Sequence, residues 1–308
     1  MINVKILNIL GLLLIFLGFV MLPSSLWSLY YGEYNDIFPI LFSSFISMSI
    51  GLVLYLIKYI YKENKNRDLS SHDAFTIVTL GWILTAIFSA LPFYLSNYNL
   101  TFIDSFFESM SGLTTTGATI LGATTIEIEE LSHGLLFWRS FTQFIGGMGI
   151  ILFTIAILPI LGMGGVQLFR AEVAGPTTDK LTPTIKETAK YLWSIYLGLI
   201  IIETLVLCLE GIIFDIEKLT FFNAICHSMT TIATGGFSTF NNSILGFESD
   251  IVSWTIIIFM FLGATNFFLH FILISKKSFE YFKDSEFKFY VSFILLFFIL
   301  TFINISSI

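Results

Sequence analysis

Seven apolar stretches run through this chain of 308 residues, at about 6–30, 38–61, 73–97, 133–161, 186–212, 250–275 and 287–305. Each is close to or beyond the roughly 20 residues a helix needs to cross the hydrocarbon core of a bilayer. That pattern removes a soluble fold from consideration. Apolar residues make up 56% of the chain and charged residues 12%, against about 45–50% and about 25% in soluble domains. A globule of this size has too little interior to hide that much apolar surface. The expected class is an all-α polytopic membrane protein. The formal charge of −7 also speaks against nucleic-acid binding. The first stretch has Lys5 ahead of an apolar run, as a signal peptide would. It lacks a small-x-small cleavage site and continues past Pro23 into Trp27, Tyr30 and Tyr31, which suit a membrane interface, so it reads as a retained span.

Basic residues orient the spans. With the N-terminus inside, Lys5, Lys58, Lys62, Lys65, Arg67, Arg170, Lys180, Lys186, Lys190, Lys276, Lys277, Lys283 and Lys288 all fall on the inner side, thirteen of the 15. Only Arg139 and Lys218 lie on or near the outer half. Glu33, Asp36, Glu127, Glu129, Glu130, Asp215, Glu217, Glu248 and Asp250 then face outward. Such a face either raises the local cation concentration or is a plain solvated loop surface.

Two outward segments are too long for turns and too apolar for loops. Thr101–Ile120 (TFIDSFFESMSGLTTTGATI) and Thr220–Thr239 (TFFNAICHSMTTIATGGFST) align without a gap and share six identities, Thr101/Thr220, Phe102/Phe221, Ser109/Ser228, Met110/Met229, Thr115/Thr234 and Gly117/Gly236. Each opens on a threonine suited to cap a helix. Asp104 sits at capping-box spacing from the first, and Asn223 takes the matching place in the second. Each runs about three turns and then breaks into a Thr/Gly tract. The match resumes in FIGGMGI and FLGATNF, whose Gly146 and Gly263 lie 29 and 27 residues beyond Gly117 and Gly236. The chain therefore contains a duplicated unit of membrane helix, short re-entrant helix, polar tract and membrane helix, its copies related by an axis along the membrane normal. Non-helical backbone survives at membrane depth only when buried in protein or lining a wet cavity. Glycine lets successive carbonyls point one way, and ringed carbonyls can replace the hydration shell of a monovalent cation. A short helix aiming its C-terminal end at that point adds negative potential. Thr114, Thr115, Thr116, Gly117 and Ala118, with Ala233, Thr234, Gly235, Gly236 and Phe237, are the candidate ion filter. Asp104, Glu108 and Asn223 are its pore-helix supports, the first two serving either as caps and anchors or as attractors of the ion.

The tract TTTGAT (Thr114–Thr119), the run WRSFTQFIGGMGIILFTIAILPILGMGGVQLFRAEVAGP (Trp138–Pro176) and TIATGGFST (Thr231–Thr239) resemble the TrkH-type membrane subunits of the Trk/Ktr/HKT potassium transporters. The resemblance implies four helix–pore-loop–helix repeats around one potassium path, with a glycine in each filter loop governing selectivity. On that pattern residues 1–72 are two leading helices, 73–162 the first repeat, 163–185 a cytosolic linker, 186–276 the second repeat, and 277–308 a loop and the first helix of a third repeat left incomplete. It further implies potassium uptake across the inner membrane, a cytosolic TrkA-type nucleotide-binding partner, a homodimer in the full-length family, and no cofactor or metal beyond the transported ion. The alternative is a truncated or partner membrane protein that keeps the fold without transporting alone.

Other residues carry paired readings. Gly146, Gly147, Gly149, Gly162, Gly164 and Gly165 thin one helix for close packing or give it a hinge. Asn266 and His270 have metal-ligand spacing without a third ligand, and are expected to hydrogen-bond between repeats. Glu203, a lone carboxylate in a span near its outer end, is a functional candidate, or it snorkels or makes a structural hydrogen bond. Cys208 and Cys226 are read as small buried hydrophobes. No HExxH, GxSxG, P-loop or paired intramembrane acids point to an enzyme.

Overall fold

A computed structural model describes residues 4–60, 71–122, 126–157, 185–276 and 281–306. These residues form helices and no strand. In order they are α1 (Val4–Tyr30), α2 (Tyr34–Ile60), α3 (Ser71–Leu95), α4 (Phe102–Leu113), α5 (His133–Ile157), α6 (Ile185–Ile213), α7 (Phe221–Ile232), α8 (Asp250–Ala264), α9 (Phe267–Lys276) and α10 (Ser285–Ser306). Five of them, α1, α2, α3, α6 and α10, are long and apolar enough to cross a membrane. The chain is an all-helical, multi-pass membrane protein. The linker 163–185 lies almost wholly outside the described residues, as do Gly162, Gly164 and Gly165.

α1 is apolar all round, as a membrane-spanning helix is, and packs against α2, α3 and α5 while leaving Phe19, Leu26 and Leu29 exposed. Its contact with α2 is set by small residues. A Cβ on Gly11 would lie 2.6 Å from the Gly51 carbonyl, and one on Gly51 would lie 2.7 Å from the Gly11 carbonyl. The hydroxyls of Ser44 and Ser47 donate to the carbonyls of Gly18 (2.6 Å) and Leu14 (2.8 Å). Helices packed in lipid gain from such close backbone approach and from interhelical hydrogen bonds.

One expected element is corrected. The stretch 250–275 is not one helix: it breaks at Thr265 and Asn266 into α8 and α9. The break frees the Leu262 carbonyl, which accepts instead from the Thr265 N–H (3.2 Å) and from His270 Nε2 (3.0 Å). His270 Nδ1 in turn accepts from the Tyr281 hydroxyl (2.8 Å). A broken helix is tolerated at membrane depth when neighbours satisfy the released backbone in this way. Asn266 sits at the break rather than on a helix face with His270, and its amide donates to Glu286 (3.0 Å). His270 thus bonds within its own repeat and to the segment leading into α10. Glu203 needs a second correction. It is fully buried in α6, so it does not snorkel.

Candidate functional site

The two short helices α4 and α7 are built alike. Thr101 and Thr220 cap them, each side chain accepting from the backbone N–H three residues on, that of Asp104 or Asn223. Asp104 closes a full capping box, taking the Thr101 N–H (3.1 Å) and hydroxyl (2.6 Å). This geometry favours a capping role for Asp104. Asn223 ties the second copy differently, donating to the Lys218 carbonyl and accepting from the Thr239 hydroxyl.

At their C-termini both helices unwind through one conformation. Thr115 and Gly117 take φ of 52° and 75°, and Thr234 and Gly236 take 53° and 82°. The supporting backbone bonds also correspond. Thr116 N–H donates to Ser111 and Gly235 N–H to Thr230, while Thr115 and Thr234 N–H donate to Gly112 and Thr231. Left-handed residues at every second position let successive carbonyls turn to one side, the backbone property a carbonyl filter requires. The Ala118 carbonyl is not free for this purpose, because the Ser111 hydroxyl donates to it at 2.5 Å.

Each tract is held from behind by a buried pore-helix side chain. Glu108 accepts from the Thr119 hydroxyl (2.9 and 3.0 Å) and from the Ile120 N–H (3.2 Å). At the matching place in the second copy, His227 Nδ1 donates to the Asn223 carbonyl, which leaves Nε2 to accept from the Ser238 hydroxyl (2.9 Å). α5 then binds the copies together. Arg139 Nε lies 2.6 Å from Glu108, its Nη1 donates to the Ser238 carbonyl (2.7 Å), and its guanidinium stands 3.7 Å from the centre of the Phe237 ring. One turn on, Gln143 accepts from the Phe237 N–H (3.1 Å) and lies where a Cβ on Gly235 would be. Asn241 clasps the outgoing segment of the first tract, accepting from Ile128 N–H and donating to Glu129 and Glu127. Gly146 and Gly263 repeat the pattern. A side chain on either would press on the carbonyl that ends its pore helix, that of Leu113 or Ile232.

Residues 38–306 match the family model described as TrkH, cation transport protein. The chain belongs to the TrkH family. Among its relatives, the Trk system potassium uptake protein TrkH of Vibrio parahaemolyticus is 39% identical over 304 residues, covering 97% of this chain and 59% of that one. The protein of the same description from Escherichia coli K12 is 42% identical over 289 residues, covering 92% and 56%. A solved structure, that of the potassium transporter TrkH from Vibrio parahaemolyticus, superposes with a TM-score of 0.78 at 36% identity, covering 97% of this chain and 58% of that one. The chain thus spans somewhat under three-fifths of the length of these relatives.

Within this TrkH-family chain, the expected filter residues lie in two tracts that meet. A Cβ on Gly117 would run into the Gly235 carbonyl, whereas one on Gly236 would meet no described atom within 4 Å. Sequence reasoning missed Arg139, Gln143, His227 and Ser238. A signal was available for the first, since an arginine inside an apolar span is a functional candidate by default. The metal reading of Asn266 and His270 gains nothing: among the described residues no three His, Cys, Asp or Glu side chains gather as a metal ion requires.

Proposed function

We propose that this chain forms part of a potassium-conducting pore, in which the Thr114–Gly117 and Ala233–Phe237 tracts contribute backbone carbonyls to the selectivity filter. The observation that carries the reading is the duplicated left-handed pair, Thr115/Gly117 and Thr234/Gly236, at the C-termini of two capped pore helices. Relatives described as potassium uptake proteins support the ion assignment. Glu108 is neutralised by Arg139, so the negative ends of α4 and α7 and the carbonyls themselves supply the attraction for a cation.

The experiment is a paired substitution, with the chain co-expressed beside the C-terminal portion of a full-length relative. A side chain held at positive φ costs about 1–3 kcal/mol, which applies to Gly117→Ser and Gly236→Ser alike. Gly117→Ser adds a collision with the Gly235 carbonyl, so it should lose uptake outright. Gly236→Ser faces open space and should keep uptake while discriminating less well between K⁺ and Na⁺. Unchanged discrimination in a well-expressed Gly236→Ser, or equal uptake by the two variants, would overturn the assignment.

The same reading places the N-terminus in the cytoplasm, the membrane being the inner one, with the filter tracts facing outward. Cysteines introduced at Ser71 and Asn242, with Cys208 and Cys226 replaced by serine, test it. Only Asn242→Cys should react with an impermeant maleimide added outside; equal labelling at both sites would reverse the topology. A cytosolic nucleotide-binding subunit of TrkA type and a second copy of the chain complete the proposed assembly. This accords with the lack of a nucleotide fingerprint in 162–187.

A further inference from the structure

The carbonyls of the second tract are aimed by two different means. In a planar trans peptide the N–H and the C=O point to opposite sides, so the acceptor of each N–H fixes the direction of the preceding carbonyl. The Thr234 N–H donates to Thr231 (2.9 Å) and the Gly235 N–H to Thr230 (2.8 Å), which turns the Ala233 and Thr234 carbonyls away from those acceptors. Both acceptors are backbone groups of the pore helix itself. The Phe237 N–H is held otherwise. Its acceptor is the side-chain oxygen of Gln143 (3.1 Å), reaching in from α5, and the Gly236 carbonyl is thereby turned away from α5. This peptide is also the one freest to flip. Gly236, at φ 82°, has no Cβ to oppose rotation, and a Cβ there would meet no described atom within 4 Å. A flip would put the N–H where the carbonyl stood and present a positive dipole end to a cation.

Gln143 is fully buried, and among the described residues its Nε2 has no acceptor. A buried amide donor left unpaired is unfavourable, so packing alone would be served better by an apolar side chain. The second copy of the unit bears this out. In the register that places Gly146 on Gly263, Gln143 falls on Met260, which is exposed. The duplicated fold therefore needs no amide at this position. α5 differs in its surroundings: it packs against both α4 and α7, and so reaches the tract of the other copy.

We propose that Gln143 is a positioning residue for ion discrimination, its side-chain oxygen holding the Gly236–Phe237 peptide with the carbonyl toward the ion path. The proposal rests on the filter reading above and adds to it a group outside both tracts. Gln143→Met puts the residue of the second copy in the first, removing the acceptor while keeping an unbranched side chain of similar length. The flipped peptide then competes, and the carbonyls that replace the hydration shell lose one member. Losing the acceptor of a buried donor shifts such an equilibrium by about tenfold or more.

Two measurements test it. In the purified chain of 308 residues, residue-resolved hydrogen exchange should find the Phe237 amide protected, as the Gly235 amide is. In Gln143→Met the Phe237 amide should exchange about tenfold faster or more, with Gly235 within about threefold of the parent because its acceptor is untouched. The second measurement uses the chain co-expressed with the C-terminal portion of a full-length relative. There Gln143→Met should lower the preference for K⁺ over Na⁺ by about tenfold, read as the Na⁺ concentration that halves uptake of Rb⁺ as a K⁺ tracer. A part played only in packing would lower the uptake of both ions together and leave that ratio unchanged. An unprotected Phe237 amide in the parent chain, equal acceleration at Gly235 and Phe237, or an unchanged ion ratio in Gln143→Met would overturn the proposal. Gly236→Ser in the same assay separates it from the filter reading. A changed ratio in Gly236→Ser beside an unchanged one in Gln143→Met removes the role of Gln143 alone, and unchanged ratios in both remove the filter assignment with it.

Discussion

Arg139→Met is expected to lower the stability of the folded chain by about 3–5 kcal/mol, the usual consequence of leaving one member of a buried ion pair without its partner. Arg139 and Glu108 have side chains 2% and 0% exposed and meet at 2.6 Å. Without the guanidinium, Glu108 keeps only the Thr119 hydroxyl and the Ile120 N–H, neither of which carries a full charge. The Ser238 carbonyl loses its donor in the same step, so the damage reaches the second tract. Arg139→Lys should fall between, since one ammonium cannot reproduce two directed bonds and the stacking on Phe237. Thermal unfolding of purified variants checks this. The double variant Glu108→Gln with Arg139→Met should be more stable than Arg139→Met alone, because no bare charge then remains buried. A single variant that unfolds within about 1 kcal/mol of the parent would mean that Glu108 finds another neutralising partner, contrary to the arrangement described.

Much of this site was legible because it occurs twice. The cap threonines, the length of the pore helices and the register of Gly117 on Gly236 all follow from aligning two segments of one chain. What stayed hidden depends on contacts between segments far apart in sequence. Glu108 and His227 occupy the same place in the alignment and hold the same partner position, Thr119 or Ser238, yet they are chemically unlike and so left no identity to notice. Arg139 served only to count charges for topology, although its cost inside an apolar span required a partner. The break at Thr265 and Asn266 was invisible to hydropathy because the apolar run continues through it. His270 and Tyr281 stabilise it from outside the break, and no local pattern announces that. Glu203 looked like a snorkelling acid from its sequence position, whereas packing of α6 against α7 and α8 encloses it.

The polypeptide of residues 1–308, expressed by itself, is expected not to restore growth of a potassium-uptake-deficient host at low potassium. An ion crossing hydrocarbon must exchange water for ligands on all sides, because a partly coordinated charge at membrane depth is costly. The two tracts supply neighbouring arcs rather than a ring. Gly117 abuts the Gly235 carbonyl on one edge, while the space beside Gly236 holds no described atom within 4 Å. The proposed pore needs further loops on that open edge. Left open, it would expose non-helical backbone to lipid, where unsatisfied carbonyls are not tolerated. Two chains about a dyad could supply four tracts, but α10 would have to clear the join, and it presents large apolar side chains such as Phe289, Phe297, Phe298 and Phe302 on its exposed surface. Complementation by residues 1–308 alone, set beside the same chain co-expressed with the C-terminal portion of a full-length relative, separates these cases. Rescue only in the co-expressing strain is the expected result. Rescue by 1–308 alone, with the purified material running as a dimer, would instead establish a pore made from two copies of these two tracts.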